Sequence, residues 1–186
     1  MAIQHADITD PDIHEPKGVA TASLGQIYIA DGAGSGTWIN PLPRGFVYFS
    51  NIAVPLIITY PSVYTKVNAS TTASGFPREV TESTTSKLTY TGTTTKPVEI
   101  TSHLFIDQSS GANKDIDIAI YKNGTIIAAS EAVITTITAT KVHVTLSAQL
   151  LAATDDYFEV YIKNTGGSGD VKLYSFTLSL SGIGIQ

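Results

Sequence analysis

Residues 115–132 place the strongest constraint on what this chain can fold into. Three isoleucines in this segment alternate with polar or small residues, and they are Ile116, Ile118 and Ile120. Alternation with a period of two is typical of a β-strand that buries one face. The segment therefore predicts a strand with one buried face.

A turn signal follows this strand directly at Asn123-Gly124. This dipeptide favours a two-residue type I′ turn, because both central residues of that turn need a positive φ. A hairpin closed by such a turn has a fixed register, and a shift of one residue would expose the isoleucine row to water. The predicted register places Tyr121 opposite Ile126 and Ile120 opposite Ile127.

From residue 98 onwards, apolar and polar residues alternate in one segment after another. Within this region only Ser147–Ala153 could make a helical turn. Many short strands separated by turns predict an all-β fold, a β-sandwich or jelly roll. The expected inward-facing sets are Val98, Ile100, Leu104 and Ile106; Val142, Val144 and Leu146; Phe158, Val160 and Ile162; and Tyr174, Phe176, Leu178 and Leu180.

Residues 46–97 show a different sequence pattern. Residues 46–60 form a dense apolar tract that Pro55 interrupts and Pro61 follows, which predicts an edge strand or a strand broken at a bulge. Residues 62–97 are rich in Thr and Ser, and we expect surface loops around one short strand near residues 87–91.

The first 45 residues contain so many prolines and glycines that they exclude a helix and allow only short strands. We expect a small hairpin with strands at 26–30 and 37–39 around a glycine-rich loop. This segment has too little apolar area to fold alone, so we predict an extended arm (1–45) that becomes ordered by docking, followed by the sandwich domain (46–186). The arm residues that would need a partner surface are Ile13, Val19, Leu24, Tyr28 and Trp38.

Composition narrows the function. Charged residues make up only 15% of the chain, against about 25% in a typical globular protein, so we expect part of the apolar surface to be buried between subunits. The net charge is −5 and no basic run occurs, which argues against nucleic acid as a partner. The chain has no cysteine, no N-terminal signal pattern and no apolar run of about 20 residues, so neither a disulfide nor a membrane association is predicted.

The sequence contains fragments of catalytic and metal motifs, but none is complete. His14-Glu15 lacks a second histidine four residues after the first, and the glycine-rich residues 31–36 are not followed by a helix that could bind phosphate. We therefore expect no enzyme, cofactor or metal. A polysaccharide-degrading enzyme would need a pair of carboxylates, yet acids on a strand are more often a solvated face. The acidic candidates are Asp115, Asp117, Asp155 and Asp156.

Four residues on outward-facing strand positions could form a contact surface. Aromatic side chains at such positions serve carbohydrate or protein binding as well as cross-strand packing. We favour packing or a subunit interface. The residues are Tyr121, His143, Tyr157 and Tyr161.

The first resemblance concerns the arm. The run 14–19 (HEPKGV) followed by 25–38 (GQIYIADGAGSGTW) resembles a segment near the N-termini of small virion proteins of tailed bacteriophages, including capsid decoration proteins, head fibres and short tail-associated fibres. The resemblance implies that the arm contacts the major capsid protein or another virion protein. The residues implied in this contact are Ile13, His14, Glu15, Pro16, Lys17, Gly18, Val19, Tyr28 and Trp38.

The second resemblance concerns the remainder. The segments 118–124, 150–160 and 176–180 resemble those of a tumour-necrosis-factor-type jelly roll, a fold that commonly forms trimers. Relatives usually carry Gly-Asp before the penultimate strand, where this chain has Thr154-Asp155-Asp156. Together the two resemblances imply a homotrimeric virion protein, made in the host cytoplasm and placed on the outer surface of a capsid or tail. The alternative is a short tail fibre that contacts a host-surface glycan.

Overall fold

The computed structural model describes residue 22 and residues 26–30, 36–59, 62–108, 114–136, 140–166 and 169–184. The chain divides into two compact units: the described residues of the first end at Pro41, and the second spans Leu42–Gly184. The sequence suggested a boundary a few residues further on, after residue 45. The expectation that the first segment becomes ordered by docking stays a prediction.

The first unit contains an antiparallel hairpin of strands β1 (Ile27–Ala30) and β2 (Gly36–Ile39). Tyr28 lies opposite Trp38, and the centroids of the two rings are 5.3 Å apart. Gly36 is required by close approach, because a Cβ at this position would lie 2.3 Å from the carbonyl oxygen of Ile29. The small hairpin that the sequence predicted here is confirmed.

The second unit is built from strands, and its described residues contain no α-helix and only one short 3₁₀ turn, at Ala128–Ser130. The strands in chain order are β3 (Arg44–Ser50), β4 (Leu56–Ile58), β5 (Thr65–Lys66), β6 (Thr72–Ala73), β7 (Val80–Ser83), β8 (Lys87–Tyr90), β9 (Lys96–Gln108), β10 (Lys114–Lys122), β11 (Thr125–Ile126), β12 (Ala132–Thr136), β13 (Val142–Ala152), β14 (Tyr157–Asn164) and β15 (Val171–Gly182).

These strands form two antiparallel sheets. The six-stranded sheet has the order β13-β9-β15-β3-β6, with β4 also paired to β15. The seven-stranded sheet has the order β11-β10-β14-β8-β7, with β12 also paired to β10 and β5 to β14. Neighbours in each sheet are mostly distant in sequence, so the connections pass between the sheets.

Both sheets bury their apolar side chains in one shared core. Ile100 of β9, Ile118 of β10 and Phe176 of β15 are all inaccessible to solvent. Burying a side chain of this size contributes about 1.5–3 kcal/mol to folding. The all-β sandwich predicted from the alternation of residues is confirmed.

The predicted hairpin after β10 is confirmed. Asn123 and Gly124 have φ of 52° and 76°, as a type I′ turn requires. Tyr121 pairs with Ile126, and the N–H of Ile127 donates to the carbonyl of Ile120 at 2.9 Å. The isoleucine row of β10 is fully buried, as the alternation indicated.

The second arm of this hairpin is shorter than the sequence suggested. After β11 the chain makes the 3₁₀ turn and then rejoins β10 as β12. Ser130 bridges this interruption, because its hydroxyl donates to the carbonyl of Ile127 at 2.7 Å and accepts the N–H of Ile120 at 2.9 Å. The Ser130 side chain thus provides the hydrogen-bond acceptor for Ile120 that the backbone of a continuous strand would have provided.

Ser147–Ala153, the segment that could have made a helical turn, does not form one. These residues continue β13, which pairs with β9 as far as Ala152 opposite Lys96. Ala148 and Ala152 are buried on the core side of this strand, so the period of two persists. The adjacent pair Leu150-Leu151 obscured that period in the sequence, because Leu151 is 60% exposed on the outer side.

Tyr174 does not share the inward face of Phe176, as the sequence analysis expected. The register of β15 against β9 shifts between Leu173 and Ser175, so a β-bulge separates two inward-facing rows. Leu173 and Phe176 both face the core, and Tyr174 turns outwards. Its ring packs against Phe105 with centroids 5.7 Å apart.

The middle segment contains more strands than expected. One strand was predicted in 62–97 and is present as β8, but β5, β6 and β7 lie there too. The interruption predicted around Pro55 is confirmed, because β3 ends before it and β4 begins after it. The two strands pair with successive parts of β15. Sequence patterns missed the short strands because two to four residues are too few to show a period.

We predict that Gly124→Ala lowers the free energy of unfolding by about 1–2 kcal/mol, because a left-handed backbone is unfavourable for residues with a Cβ. The nearest atom to that Cβ would be the Tyr157 hydroxyl at 3.6 Å, so no clash contributes. Denaturant-induced unfolding measures the change, with Thr125→Ala at the exposed neighbouring position as control. Equal stability of Gly124→Ala and wild type would contradict the assigned turn.

Candidate interaction surfaces

The central rows on the outer face of the six-stranded sheet consist mainly of small hydroxyl side chains with aromatic rings among them. Side chains that do not face the core form rows across β13, β9, β15 and β3, in the order that the pairing gives. We call this surface the hydroxyl face. Its rows are His143, Phe105 and Ser175; Thr145, His103, Thr177 and Tyr48; and Ser147, Thr101, Ser179 and Phe46.

These three rows contain no Asp, Glu, Lys or Arg, although charged residues border them. Glu99 accepts the hydroxyl of Ser147 at 3.0 Å at one end, and Lys141 lies over the ring of Phe105 at the other. Phe46 and Tyr48 are each 41% exposed at its edge, and their ring centroids are 6.2 Å apart. Its polar groups satisfy one another in part, since Nδ1 of His103 lies 3.1 Å from the hydroxyl of Thr145. An uncharged surface of this kind can be buried against another protein without a large desolvation penalty.

One end of the hydroxyl face is an aromatic stack. His143 lies parallel to Phe105, with centroids 4.2 Å apart and 16° between the ring planes. The ammonium group of Lys141 lies 4.2 Å from the centroid of the Tyr174 ring, within the range of a cation–π contact. The sequence placed His143 on an outer or interface strand face, and the structure locates it on the hydroxyl face.

The other end of the hydroxyl face borders an open pocket of about 370 Å³. Phe46 and Phe76 contribute apolar walls, and Phe76 is 76% exposed in the loop between β6 and β7. Glu82 organises that loop by accepting the N–H groups of Phe46 and Ser74 at 2.9 and 2.7 Å. Arg44 and three serines also line the pocket, so it extends the face with both apolar and polar walls.

The outer face of the seven-stranded sheet has a different character. Three rings meet there: the centroids of Tyr121 and Tyr161 are 4.1 Å apart, and Tyr64 approaches Tyr121 edge-on at 5.6 Å. We call these three residues the tyrosine cluster. Ala119 lies opposite Tyr161 in the sheet and is fully buried, which is consistent with cover by these rings.

Paired charges surround the tyrosine cluster. Lys66 forms an ion pair with Glu159 at 2.6 Å, and Lys163 forms one with Asp117 at 3.6 Å. The hydroxyl of Tyr64 donates to Glu131 at 2.6 Å. These groups are satisfied within the chain, so another protein that covered this face would have to desolvate several charges.

The pKa values of the cluster follow from its packing. Burial, reinforced by the nearby Glu159 carboxylate, raises the pKa of Tyr161 to about 12. Burial and then the hydrogen bond to Glu131 raise the pKa of Tyr64 well above its ordinary value. Burial and the Glu131 charge also raise the pKa of Tyr121. All three rings are therefore neutral at physiological pH.

The structure brings together only part of the surface that the sequence proposed. Tyr121 and Tyr161 are in contact, but Tyr157 lies apart beneath Lys87, whose ammonium group is 5.4 Å from the ring centroid. His143 belongs to the opposite sheet. Sequence analysis did not select Tyr64, which lies outside any strand and carries no periodic signal.

A polar network fixes the turn of the β10–β11 hairpin to the start of β14. The side-chain amide of Asn123 donates to Asp156 at 2.6 Å and its oxygen accepts the N–H of Tyr157 at 2.8 Å. Asp156 also accepts the N–H of Ala153 at 2.7 Å and pairs with Lys122 at 2.7 Å. This network joins residues that are about 30 positions apart in the chain.

Three of the four carboxylates considered for glycoside hydrolysis form other contacts. Asp117 and Asp156 are in the ion pairs described above, and Asp115 accepts the hydroxyl of Thr135 at 2.7 Å. Within the described residues, no group of three or more His, Cys, Asp or Glu side chains is placed to hold a metal ion. The described part of the chain also has no helix long and apolar enough to cross a membrane.

Of the nine arm residues that the resemblance implies in the virion contact, two lie within the described residues. Tyr28 and Trp38 form the ring pair of the β1–β2 hairpin. The other seven, residues 13–19, lie outside the described residues. Their contact with a virion protein stays a prediction.

The described strands form a two-sheet antiparallel sandwich of the jelly-roll type, and two solved structures share this fold. The structure of Eiger TNF from S. frugiperda is similar with a TM-score of 0.53 and 12% identity, over 79% of this chain and 96% of that one. The vertex protein P5 of phage PRD1 is similar with a TM-score of 0.53 and 10% identity, over 88% of this chain and 84% of that one. Such low identities show the shared fold alone. No family model and no curated protein matches the sequence.

The network around Asp156 yields a pH prediction. Burial of Asp156 opposes its ionisation, but the hydrogen bonds from Lys122, Ala153 and Asn123 outweigh this and lower its pKa. The ionised group therefore stabilises the fold above the unfolded-state pKa of about 3.9, and this stabilisation is lost as the pH falls through the lower folded-state pKa.

We expect Asp156→Asn to lower the free energy of unfolding by about 1–3 kcal/mol at pH 7 and to make stability less dependent on pH below about 4. Denaturant titrations across this range measure both effects. Asp155→Asn is the matched control, since it removes an exposed neighbouring carboxylate and Asn tolerates the left-handed backbone found there. An equal loss in both variants would contradict the special role of Asp156.

Proposed function

We propose that this chain is a non-enzymatic structural protein of a bacteriophage virion, whose jelly-roll head assembles as a homotrimer through the hydroxyl face. The observation that carries the proposal is the contrast between the two outer faces: the three central rows of one contain no charged residue, and ion pairs surround the tyrosine cluster on the other. The resemblance to tumour-necrosis-factor-type folds implies the trimer. The resemblance of the arm to phage virion proteins supports the location.

Energetics favour the hydroxyl face as the contact between copies. Burying its central rows removes Phe46 and Tyr48 from water, and none of the side chains in these rows is charged. Burying the other face would desolvate the pairs Lys66–Glu159 and Lys163–Asp117. Cyclic symmetry lets the same surface serve every copy, so a single chain can supply a closed assembly.

The more specific part of the proposal is a capsid decoration protein or head fibre. In this role the arm, residues 1–45, binds the major capsid protein or another virion protein, with residues 13–19, Tyr28 and Trp38 in the contact. Three arms on one trimer would bind together, so avidity would multiply modest individual contacts. A protein that binds only the assembled lattice also stabilises that lattice against disassembly. The fold likeness to the PRD1 vertex protein is compatible with a virion position.

We expect Thr177→Glu to dissociate the trimer. Thr177 lies in the central row of the hydroxyl face, between His103 and Tyr48. A carboxylate buried there without a partner costs several kcal/mol, which weakens assembly by about 100-fold or more. Sedimentation velocity at equal concentrations measures the mass.

The control for this experiment is Thr81→Glu, which adds the same charge at an exposed position on β7 of the other sheet. Circular dichroism verifies that both variants fold. A Thr177→Glu protein with the mass of the wild-type trimer would exclude the hydroxyl face as the contact.

The anchoring role of the arm is tested by binding to capsids prepared without this protein. We expect the full chain to co-sediment with such capsids and a chain that begins at residue 42, the start of the second compact unit, to remain in the supernatant. Sedimentation velocity of the shortened chain verifies that its assembly is intact. Undiminished capsid binding by the shortened chain would rule out the arm as anchor.

A short tail fibre that binds a host-surface glycan is the second candidate, and the tyrosine cluster is the observation that favours it. Sugar rings pack on aromatic side chains, and polar partners such as Lys66 and Glu159 lie beside the rings. Glycan-array binding by the full chain that Tyr121→Ala abolishes would support this function. Array binding that survives this substitution would exclude the cluster as the site.

A further inference from the structure

The two faces of the β1–β2 hairpin differ in composition. The pairing places Ile27 opposite Ile39 and Ile29 opposite Thr37, so these four side chains share one face. We call it the isoleucine face. Tyr28 and Trp38 pair with one another on the reverse face.

The isoleucine face is open to solvent in the single chain. Ile27 is 51% exposed and Ile29 is 39% exposed, whereas the rings on the reverse face pack against each other. Neither strand contains a charged residue. A two-stranded hairpin is at best marginally stable in water, so a row of exposed β-branched side chains needs a cover from outside the hairpin.

Other copies of this chain are the partners that suit the isoleucine face. The hairpin ends at Ile39, and the next firm attachment of the chain is Pro43, whose carbonyl accepts the N–H of Gly182 at 2.8 Å. Only Asn40–Leu42 separates them, so a trimeric head would tether its hairpins on very short linkers at a high effective concentration. Each copy then offers the others an identical aliphatic surface with no charge to oppose contact.

We infer that the isoleucine faces of different copies pack against one another, which makes the hairpin a second self-association element of the protein. The inference rests on the proposed homotrimer, but it concerns a different segment from the hydroxyl face.

The absence of cysteine from the chain permits a direct test by disulfide cross-linking. Ile29→Cys places one thiol on the isoleucine face, and Ala30→Cys places one on the reverse face at the next position. The two thiols are therefore joined to the head by linkers of almost the same length. A disulfide needs Cα atoms within about 7 Å. Mild oxidation of each full-length variant is followed on non-reducing gels, after sedimentation has established the mass of the unoxidised protein.

We expect Ile29→Cys to form linked pairs at least about ten times faster than Ala30→Cys. In a three-fold cluster the reaction should stop when about two thirds of the chains are linked, because the third thiol has no partner. Adding Gly36→Val, which clashes with the carbonyl of Ile29 and breaks the strand pairing, should abolish the difference.

The outcomes separate the inference from the proposed function. Equal rates for the two cysteine variants in a trimer, or no linkage in either, would overturn the inference and leave the trimeric head in place. A wild-type protein that sediments as a monomer would overturn the proposed homotrimer itself. Linkage of Ile29→Cys that persists unchanged with Gly36→Val would show that tethering alone brings the thiols together, and this would also overturn the inference.

Discussion

The burial of alternate side chains from two sheets in one core is the constraint on which the rest of this structure depends. Each strand commits every second residue to the core, so the remaining residues are fixed on one of two outer faces. The bulge near Tyr174 shows how strictly the strands keep apolar side chains in the core. It exchanges inside and outside within β15 so that Leu173 and Phe176 both reach the core, and Tyr174 is turned out to join Phe105.

The two outer faces differ mainly in charge, and charge decides what each can contact. On the seven-stranded sheet, ion pairs and hydrogen bonds hold the tyrosine cluster in place and keep that surface well solvated. On the six-stranded sheet, three central rows of Ser, Thr and aromatic side chains contain no ionic group, and the charged residues lie at the ends of these rows. Desolvation is therefore cheap on one side and costly on the other, and this asymmetry supports a head that associates through one face.

Strands with clear local patterns could be predicted from the sequence. The alternation in β10 and the Asn123-Gly124 turn depend on neighbouring residues, and both appear as expected. The strand at residues 147–153 was hard to predict because Leu150-Leu151 interrupts the period of two in the sequence. Pairing with β9 nevertheless keeps these residues extended. The 3₁₀ turn at Ala128–Ser130 carries no glycine or proline signal, and the hydroxyl of Ser130 determines it.

The sequence by itself determined that this chain is all-β, which side chains of most strands face inwards, and where the tightest hairpin closes. Only the tertiary structure decided which strands are neighbours, and therefore which outward residues meet. His143 and Tyr121 looked equivalent in the sequence, yet they lie on opposite sheets. The physical reason is that a period of two distinguishes inside from outside but not one sheet from the other. That choice depends on contacts such as Tyr64 with Glu131, which are 67 residues apart.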